Sequence, residues 1–128
     1  TTSYLKLFSS NDGIYFKPED LALQGRGYAE RFGIEECRVS QIEEVFYLTY
    51  TAVSDNGVAV GLRTTKDWQH FENHGIIFPP HNKDVALFEE KINGKFYALH
   101  RPTSKNIGAI IFGWPNRLMV FIGATINV

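Results

Sequence analysis

A small set of polar side chains in this 128-residue chain could donate a proton or bind an anion. They are Glu36, Arg38, Lys83, Asp84, His100 and Arg101. A carboxyl group can protonate a leaving oxygen, and guanidinium and ammonium groups can hold an anion such as phosphate. By composition alone, however, Glu36 and its neighbour Glu35 suit a solvated strand end. A lone Arg or His on a strand is more often a surface or structural residue.

Several other kinds of chemistry are not expected from the sequence. The histidines His70, His74 and His81 lack metal-ligand spacing, and the single cysteine, Cys37, cannot form an internal disulfide. The 13 basic and 14 acidic residues are scattered singly, which argues against nucleic acid or an anionic membrane as a partner. Neither a membrane-spanning apolar run nor a signal pattern is present, so a cytoplasmic protein is predicted.

The elements that would position these residues are β-strands, because short β-branched and aromatic runs alternate with turn signals. Strands are predicted at Ser3 to Ser10, Ile14 to Lys17, Cys37 to Ile42, Phe46 to Val53, Val58 to Thr64, Trp68 to Phe78, Asp84 to Ile92 and Lys95 to Arg101. Asn11-Asp12-Gly13 is expected to be a hairpin turn. Pro18 is expected to end its strand, and Glu19 to Glu30 to form a loop with at most one helical turn near Pro18 to Leu21.

An internal repeat indicates how these strands are organised. Phe46-Tyr47 recurs as Phe96-Tyr97, and the segment Ser9 to Phe16 recurs as Thr64 to Phe71. Repeats near this period are typical of β-propellers, in which each blade is a four-stranded antiparallel sheet. We therefore expect a partial first blade with an active-site loop in residues 1–36, a complete blade in 37–81, and the next blade in 82–128.

Four motifs in this region carry a family resemblance. They are G-I-E-E-C-R (Gly33 to Arg38), F-Y-L-T-Y-T-A (Phe46 to Ala52), V-A-V-G-L-R-T-T-K-D (Val58 to Asp67) and N-K-D-V-A-L-F-E-E-K-I-N-G-K-F-Y-A-L-H-R-P (Asn82 to Pro102). Together they closely resemble glycoside hydrolase family 130, the bacterial β-mannoside phosphorylases, and the likeness continues more loosely back to Tyr4. The resemblance implies a five-bladed β-propeller. The chain is expected to be a fragment of about two and a half blades.

The resemblance also implies a site. In the family, the aspartate of E-D-P-R supplies the proton through a sugar hydroxyl, and Glu36 occupies that place here, with Cys37 in place of the proline. Arg38, Lys83, His100 and Arg101 are then expected to line sugar and phosphate subsites, and Asp84 to hydrogen-bond a sugar. Inorganic phosphate would be the co-substrate, and no cofactor is implied.

Other residues in the matched motifs carry no such role. Arg63 departs from the small residue common in the family. Four aromatic residues could stack on sugars, although their alternating spacing favours core packing: Tyr47, Tyr50, Phe96 and Tyr97.

The tail departs from the repeat. A third Ser/Thr-x-Asp-x-x-Phe copy is due around Pro115 to Ile122, but residues 109–128 contain no acidic residue. Permitted codons read one base earlier can encode S-P-N-G-F-Y-W there, which supplies the missing turn. We therefore predict a one-base deletion near Gly108, which leaves an accidental apolar ending. The alternative is a genuine divergent strand pair.

Three functions remain open at this point. The first is a remnant of a β-mannoside phosphorylase or glycosidase that is inactive as the isolated chain and self-associates, most simply as a dimer. The second is an active inverting phosphorylase or hydrolase that uses Glu36 as its acid. The third is a module that binds β-mannosides without turnover.

Overall fold

The strands and turns of the chain are seen in a computed structural model that describes residues 2–102 and the strand at 120–123. Nine strands are present in these residues: β1 (Leu5–Ser9), β2 (Lys17–Leu23), β3 (Gly33–Ile42), β4 (Val45–Ser54), β5 (Gly57–Thr65), β6 (Glu72–Phe78), β7 (Asn82–Leu87), β8 (Tyr97–Pro102) and β9 (Val120–Gly123). The one helical element in the described residues is a 3-10 turn, Tyr28–Glu30. The prediction of an all-β fold is confirmed.

The strands form three antiparallel sheets, ordered β1-β2, β3-β4-β5-β6 and β7-β8-β9. The middle sheet has four antiparallel strands, as one propeller blade has, and it begins at Gly33 rather than at the predicted Cys37. Strand β4 is buried at every position from 47 to 52 because a neighbouring sheet covers each of its faces. Alternating residues therefore serve two separate cores.

The first core lies between the middle sheet and β7-β8. It contains Tyr47, Val60, Leu62, Val85 and Leu87 among its members. Two hydroxyl groups of the middle sheet also bond to the backbone of β7: Ser40 Oγ donates to the Leu87 carbonyl (2.9 Å) and Thr49 Oγ1 to the Val85 carbonyl (2.6 Å). These hydrogen bonds satisfy buried carbonyls and fix β7 against the middle sheet.

The second core joins the middle sheet to β1-β2. Ile34, Tyr50, Ala52 and Ala59 form its buried part, and Leu5 and Leu23 of the first sheet are among the partly buried side chains that pack against them. Ahead of β1, Ser3 runs parallel to Gly33 so closely that a Cβ on this glycine would lie 2.5 Å from the Ser3 carbonyl oxygen. Only glycine permits this approach.

The second strand is where the sequence-based prediction is wrong. The segment predicted as a strand, Ile14 to Lys17, is mostly turn, and the true strand covers the stretch predicted as loop and helical turn. Pro18 pairs with Phe8 at the end of an irregular register. It does not break the ladder because a two-stranded sheet leaves one side of β2 open, where no backbone N–H is required.

The repeated segments adopt the same turn. Asp12 Oδ1 accepts hydrogen bonds from the amides of Ile14 (2.8 Å) and Tyr15 (2.9 Å). Asp67 Oδ1 accepts equivalent bonds from Gln69 (2.9 Å) and His70 (2.8 Å), so the start of the predicted strand Trp68 to Phe78 is a turn instead. The predicted frameshifted tail, 109–128, lies outside the described residues except for the backbone of β9, which pairs with β8.

Candidate functional site

Glu36 lies at an irregularity in β3. Glu35 pairs with Thr51 and Arg38 with Thr49, so β3 contains one more residue than β4 over this interval. Glu36 takes up the extra length with a φ of 52°, a left-handed conformation that is rare for residues other than glycine. The bulge turns the exposed Glu36 carboxyl group toward the face shared with β7, as its contacts show.

Asp84 has the same geometry in the next sheet. Lys83 pairs with Arg101 and Ala86 with Leu99, again with one extra residue, and Asp84 has a φ of 53°. Glu36 and Asp84 therefore occupy equivalent bulges on the first strands of two successive sheets. Strain of this kind persists where the surrounding structure over-determines it, and it clusters at functional sites.

The two carboxyl groups lie near each other between the sheets. Asp84 forms an ion pair with Arg101, and Glu36 is close enough to affect the pKa of Asp84. Burial by itself raises the pKa of Asp84, but the Arg101 guanidinium, the nearby Glu36 and the charge of Lys83 together hold it below the ordinary value. Thr51 Oγ1 donates to Glu36 Oε2 (3.2 Å).

The Arg101 guanidinium stabilises the ionised form of Asp84, and Glu36 lies beside this ion pair. The Glu36 carboxyl group is exposed to solvent, so a ligand oxygen can reach it.

The cationic residues predicted for the site are only partly brought together. Arg101 and Lys83 lie beside Asp84, and the buried Nε of Arg101 has no hydrogen-bond partner among the described residues. Arg38 is on the same face of β3 as the bulge, but its side chain is exposed and contacts no described partner. It is available to an anion and its role stays a prediction.

His100 lies apart from this cluster. Its buried ring stacks on Phe78 with a centroid separation of 4.7 Å, and Nδ1 is 2.6 Å from Asn82 Oδ1. Burial lowers the pKa of His100 below the usual imidazole value, so the ring is neutral at pH 7. Its Nε2 is buried and has no partner in the described part of the chain. Its predicted subsite role remains untested.

A buried ionic network was not anticipated. Arg63 Nη2 contacts Glu30 Oε2 (3.0 Å) and the Gln24 carbonyl oxygen (2.8 Å), and Tyr50 Oη donates to Glu30 Oε1 (2.6 Å). Both charged side chains are 3% exposed. The available signal was Arg63 itself, the single charged residue in the strand V-A-V-G-L-R-T-T, because a buried charge requires a partner. No sequence spacing identified Glu30 as that partner.

Other site types find no support in the described residues. Within residues 2–102, no group of three or more His, Cys, Asp and Glu side chains is placed to hold a metal ion. Burial raises the pKa of the Cys37 thiol to about 11, so it is not a reactive thiolate near neutral pH. No helix in the described part of the chain is long and apolar enough to cross a membrane.

The chain is similar in sequence to known mannoside phosphorylases. The family model described as β-1,4-mannooligosaccharide phosphorylase, of glycoside hydrolase family 130, matches residues 1–113. A β-1,2-mannobiose phosphorylase of Listeria innocua is 48% identical over 107 residues, which is 83% of this chain and 30% of that protein. A 1,2-β-oligomannan phosphorylase of Thermoanaerobacter sp. is 34% identical over 96 residues, or 72% of this chain and 32% of that one.

A solved structure gives the same result. The Listeria innocua phosphorylase in complex with β-1,2-mannobiose superposes with a TM-score of 0.78 at 47% identity, covering 82% of this chain and 30% of that one. This chain therefore spans about a third of the length of the curated relatives it matches.

Proposed function

Because the chain belongs to glycoside hydrolase family 130, we propose that Glu36 is the proton donor of a β-mannoside-cleaving site. Asp84, Arg101 and Lys83 form the adjoining part of that site, where they bind sugar hydroxyls and phosphate. The observation that supports this assignment most directly is that Glu36 and Asp84 occupy equivalent left-handed bulges, with Arg101 paired to Asp84.

The proposed step is a phosphorolysis. A phosphate oxygen attacks the anomeric carbon of the mannosyl unit, and the bond from that carbon to the leaving oxygen breaks. The Glu36 proton passes to the leaving oxygen, either directly or through a sugar hydroxyl, so that a mannosyl phosphate and a shortened sugar are released. Asp84 orients the Glu36 carboxyl group, and the cations offset phosphate charge. If water attacks instead, the same acid supports hydrolysis.

The isolated chain is proposed to be an inactive remnant. It spans about a third of its relatives, and Glu36 is exposed to solvent rather than enclosed. An open site neither excludes water nor preorganises the acid. The family match ends at residue 113, which supports a frameshift near Gly108. The test is the genomic sequence around the Gly108 codon. If it lacks a one-base deletion relative to close relatives, the frameshift is refuted.

The isolated chain is also proposed to self-associate. Three apolar side chains after β1 are largely exposed: Ile14 (74%), Tyr15 (77%) and Phe16 (60%). Exposed apolar groups of this size favour association when a second surface can cover them.

Two assays test the proposed function. The 128-residue chain is incubated with β-1,2-mannobiose and phosphate, and we expect no phosphate consumption; turnover that disappears in Glu36→Gln would establish the active-enzyme alternative. Residues 2–102 are then exchanged into the corresponding segment of the Listeria innocua phosphorylase. We expect activity with Glu36 and a loss of at least about 100-fold with Glu36→Gln. An active Glu36→Gln chimera would refute the assignment.

A further inference from the structure

The segment between β2 and β3 carries two exposed aromatic rings at the end of the blade where the candidate site lies. Tyr28 is 57% and Phe32 44% exposed. Phe32 directly precedes Gly33, and Glu36 follows three residues into β3, a distance of about 10 Å along a strand. Along the strand, Phe32 is therefore separated from Glu36 by more than the length of one sugar ring.

Arg31 holds these two rings in place. Its guanidinium carbon lies 5.2 Å from the centroid of Tyr28 and 4.8 Å from that of Phe32. Its Nη1 forms an ion pair with Asp55 Oδ2 at 2.8 Å, in the turn between β4 and β5. The guanidinium lies over one face of each ring and stabilises both, and the two residues still remain 57% and 44% exposed.

Buried contacts also hold this segment against the middle sheet. Glu30, the last residue of the 3-10 turn, is buried against Arg63 and Tyr50, and its Oε2 accepts the Arg26 amide (2.6 Å). Arg63 in addition holds the Gln24 carbonyl oxygen. Both ends of the segment are thus tied to the middle sheet, which makes the exposed rings a rigid surface.

We propose that Tyr28 and Phe32 form an aromatic platform that stacks against a second or third sugar ring of a bound mannoside. This inference rests on the proposed function, since the first ring would lie at Glu36. The apolar face of a pyranose ring suits an aromatic surface, and Arg31 and Asp55 offer hydrogen bonds to the hydroxyl groups at its edge. A rigid platform of this kind avoids the entropic cost of ordering a loop on binding.

The test measures sugar binding by NMR with the full 128-residue chain in phosphate buffer. Mannose, β-1,2-mannobiose and β-1,2-mannotriose are titrated into the native chain and into Tyr28→Ala, Phe32→Ala and Tyr28→Phe. Tyr15→Ala is the control, because Tyr15 is more exposed (77%) than either platform residue but follows the far end of β1, away from Gly33.

We expect Tyr28→Ala and Phe32→Ala to weaken mannotriose binding by about three- to ten-fold and to leave mannose binding unchanged. Tyr28→Phe and Tyr15→Ala should bind as the native chain does. Equal weakening of mannose and mannotriose, or no effect of either alanine variant, would overturn the platform.

The same NMR titrations test the proposed function separately, through the residues that mannotriose perturbs. Mannotriose that perturbs Tyr28 and Phe32 but not Glu36 or Asp84 would support the platform and overturn the acid site. Perturbation confined to Glu36 and Asp84 would do the reverse. Absence of binding by all three sugars would overturn the platform, whereas the acid role of Glu36 would still be decided by the Glu36→Gln chimera.

Discussion

Replacing Arg63 by methionine should be among the most damaging single changes in this chain. Methionine has a comparable length and removes the charge, which leaves the Glu30 carboxylate buried with hydrogen bonds only from Tyr50 and the Arg26 amide. Breaking a buried ion pair by removing one partner costs about 3–5 kcal/mol. With a urea m-value of about 2 kcal/mol/M, the unfolding midpoint should fall by about 1.5–2.5 M.

The control is a second arginine–carboxylate pair of similar geometry. Arg31 and Asp55 are 2.8 Å apart, but both side chains are nearly half exposed. Because solvent screens such a pair, Arg31→Met should cost less than about 1 kcal/mol. Urea unfolding of both variants at one fixed protein concentration makes the comparison, since association couples stability to concentration. Equal costs for the two variants would refute the reasoning.

A double variant separates the buried charge from the lost packing. Glu30→Gln combined with Arg63→Met removes both charges, and Arg63 already has a buried Nε without a partner among the described residues. Replacing both members of a buried pair is often close to neutral. We therefore expect the double variant to recover at least half of the stability that Arg63→Met loses. A further additive loss would show that packing, not charge, accounts for the cost.

Three further outcomes can be checked. Burial lowers the pKa of His100, so its contribution to stability is present above the unfolded pKa of about 6.5 and is lost as pH falls below that value. The urea midpoints at pH 7.5 and pH 5.5 should therefore differ less in His100→Gln than in the native chain. Gly61→Ala should destabilise by about 1–3 kcal/mol, because its Cβ would lie 2.4 Å from the Tyr50 ring, and an unchanged thermal midpoint would contradict this. Sedimentation at micromolar concentration should show no stable monomer, and deletion of residues 109–128 should give aggregated or unfolded chain; a soluble folded monomer from that deletion would disprove the role given to the tail.

The middle sheet could be predicted because its local signals agree. Strands β4 and β5 are long runs of β-branched and aromatic residues joined by the Asp55-Asn56-Gly57 turn, and nothing competes with that pattern. The repeated Asp12 and Asp67 turns were visible for a similar reason, since their chemistry is local. Strand β2 was missed because Pro18 is a valid strand breaker in general and is tolerated here only through an open edge.

The geometry of the candidate site could not be predicted from the sequence. Motif resemblance selected Glu36, Asp84 and Arg101, of which Asp84 and Arg101 form an ion pair, and their functional roles stay predictions. The left-handed conformations of Glu36 and Asp84 leave no local signal, because they arise from a register mismatch with the neighbouring strand. The Glu30–Arg63 pair joins residues 33 positions apart through tertiary packing, which no pattern of periodicity records.

The equivalence of the two bulges shows how the blades determine the site. Glu36 and Asp84 belong to different sheets, so the separation of their carboxyl groups depends on how closely β7 packs on the middle sheet. That packing is fixed by the Ser40 and Thr49 hydroxyl bonds to β7 carbonyls and by the apolar core beneath them. An error of about 1 Å in the position of a catalytic group can cost on the order of 100-fold in rate. If Glu36 acts as proposed, removing either of these two hydroxyl groups should therefore lower the activity of the chimera as well as its stability.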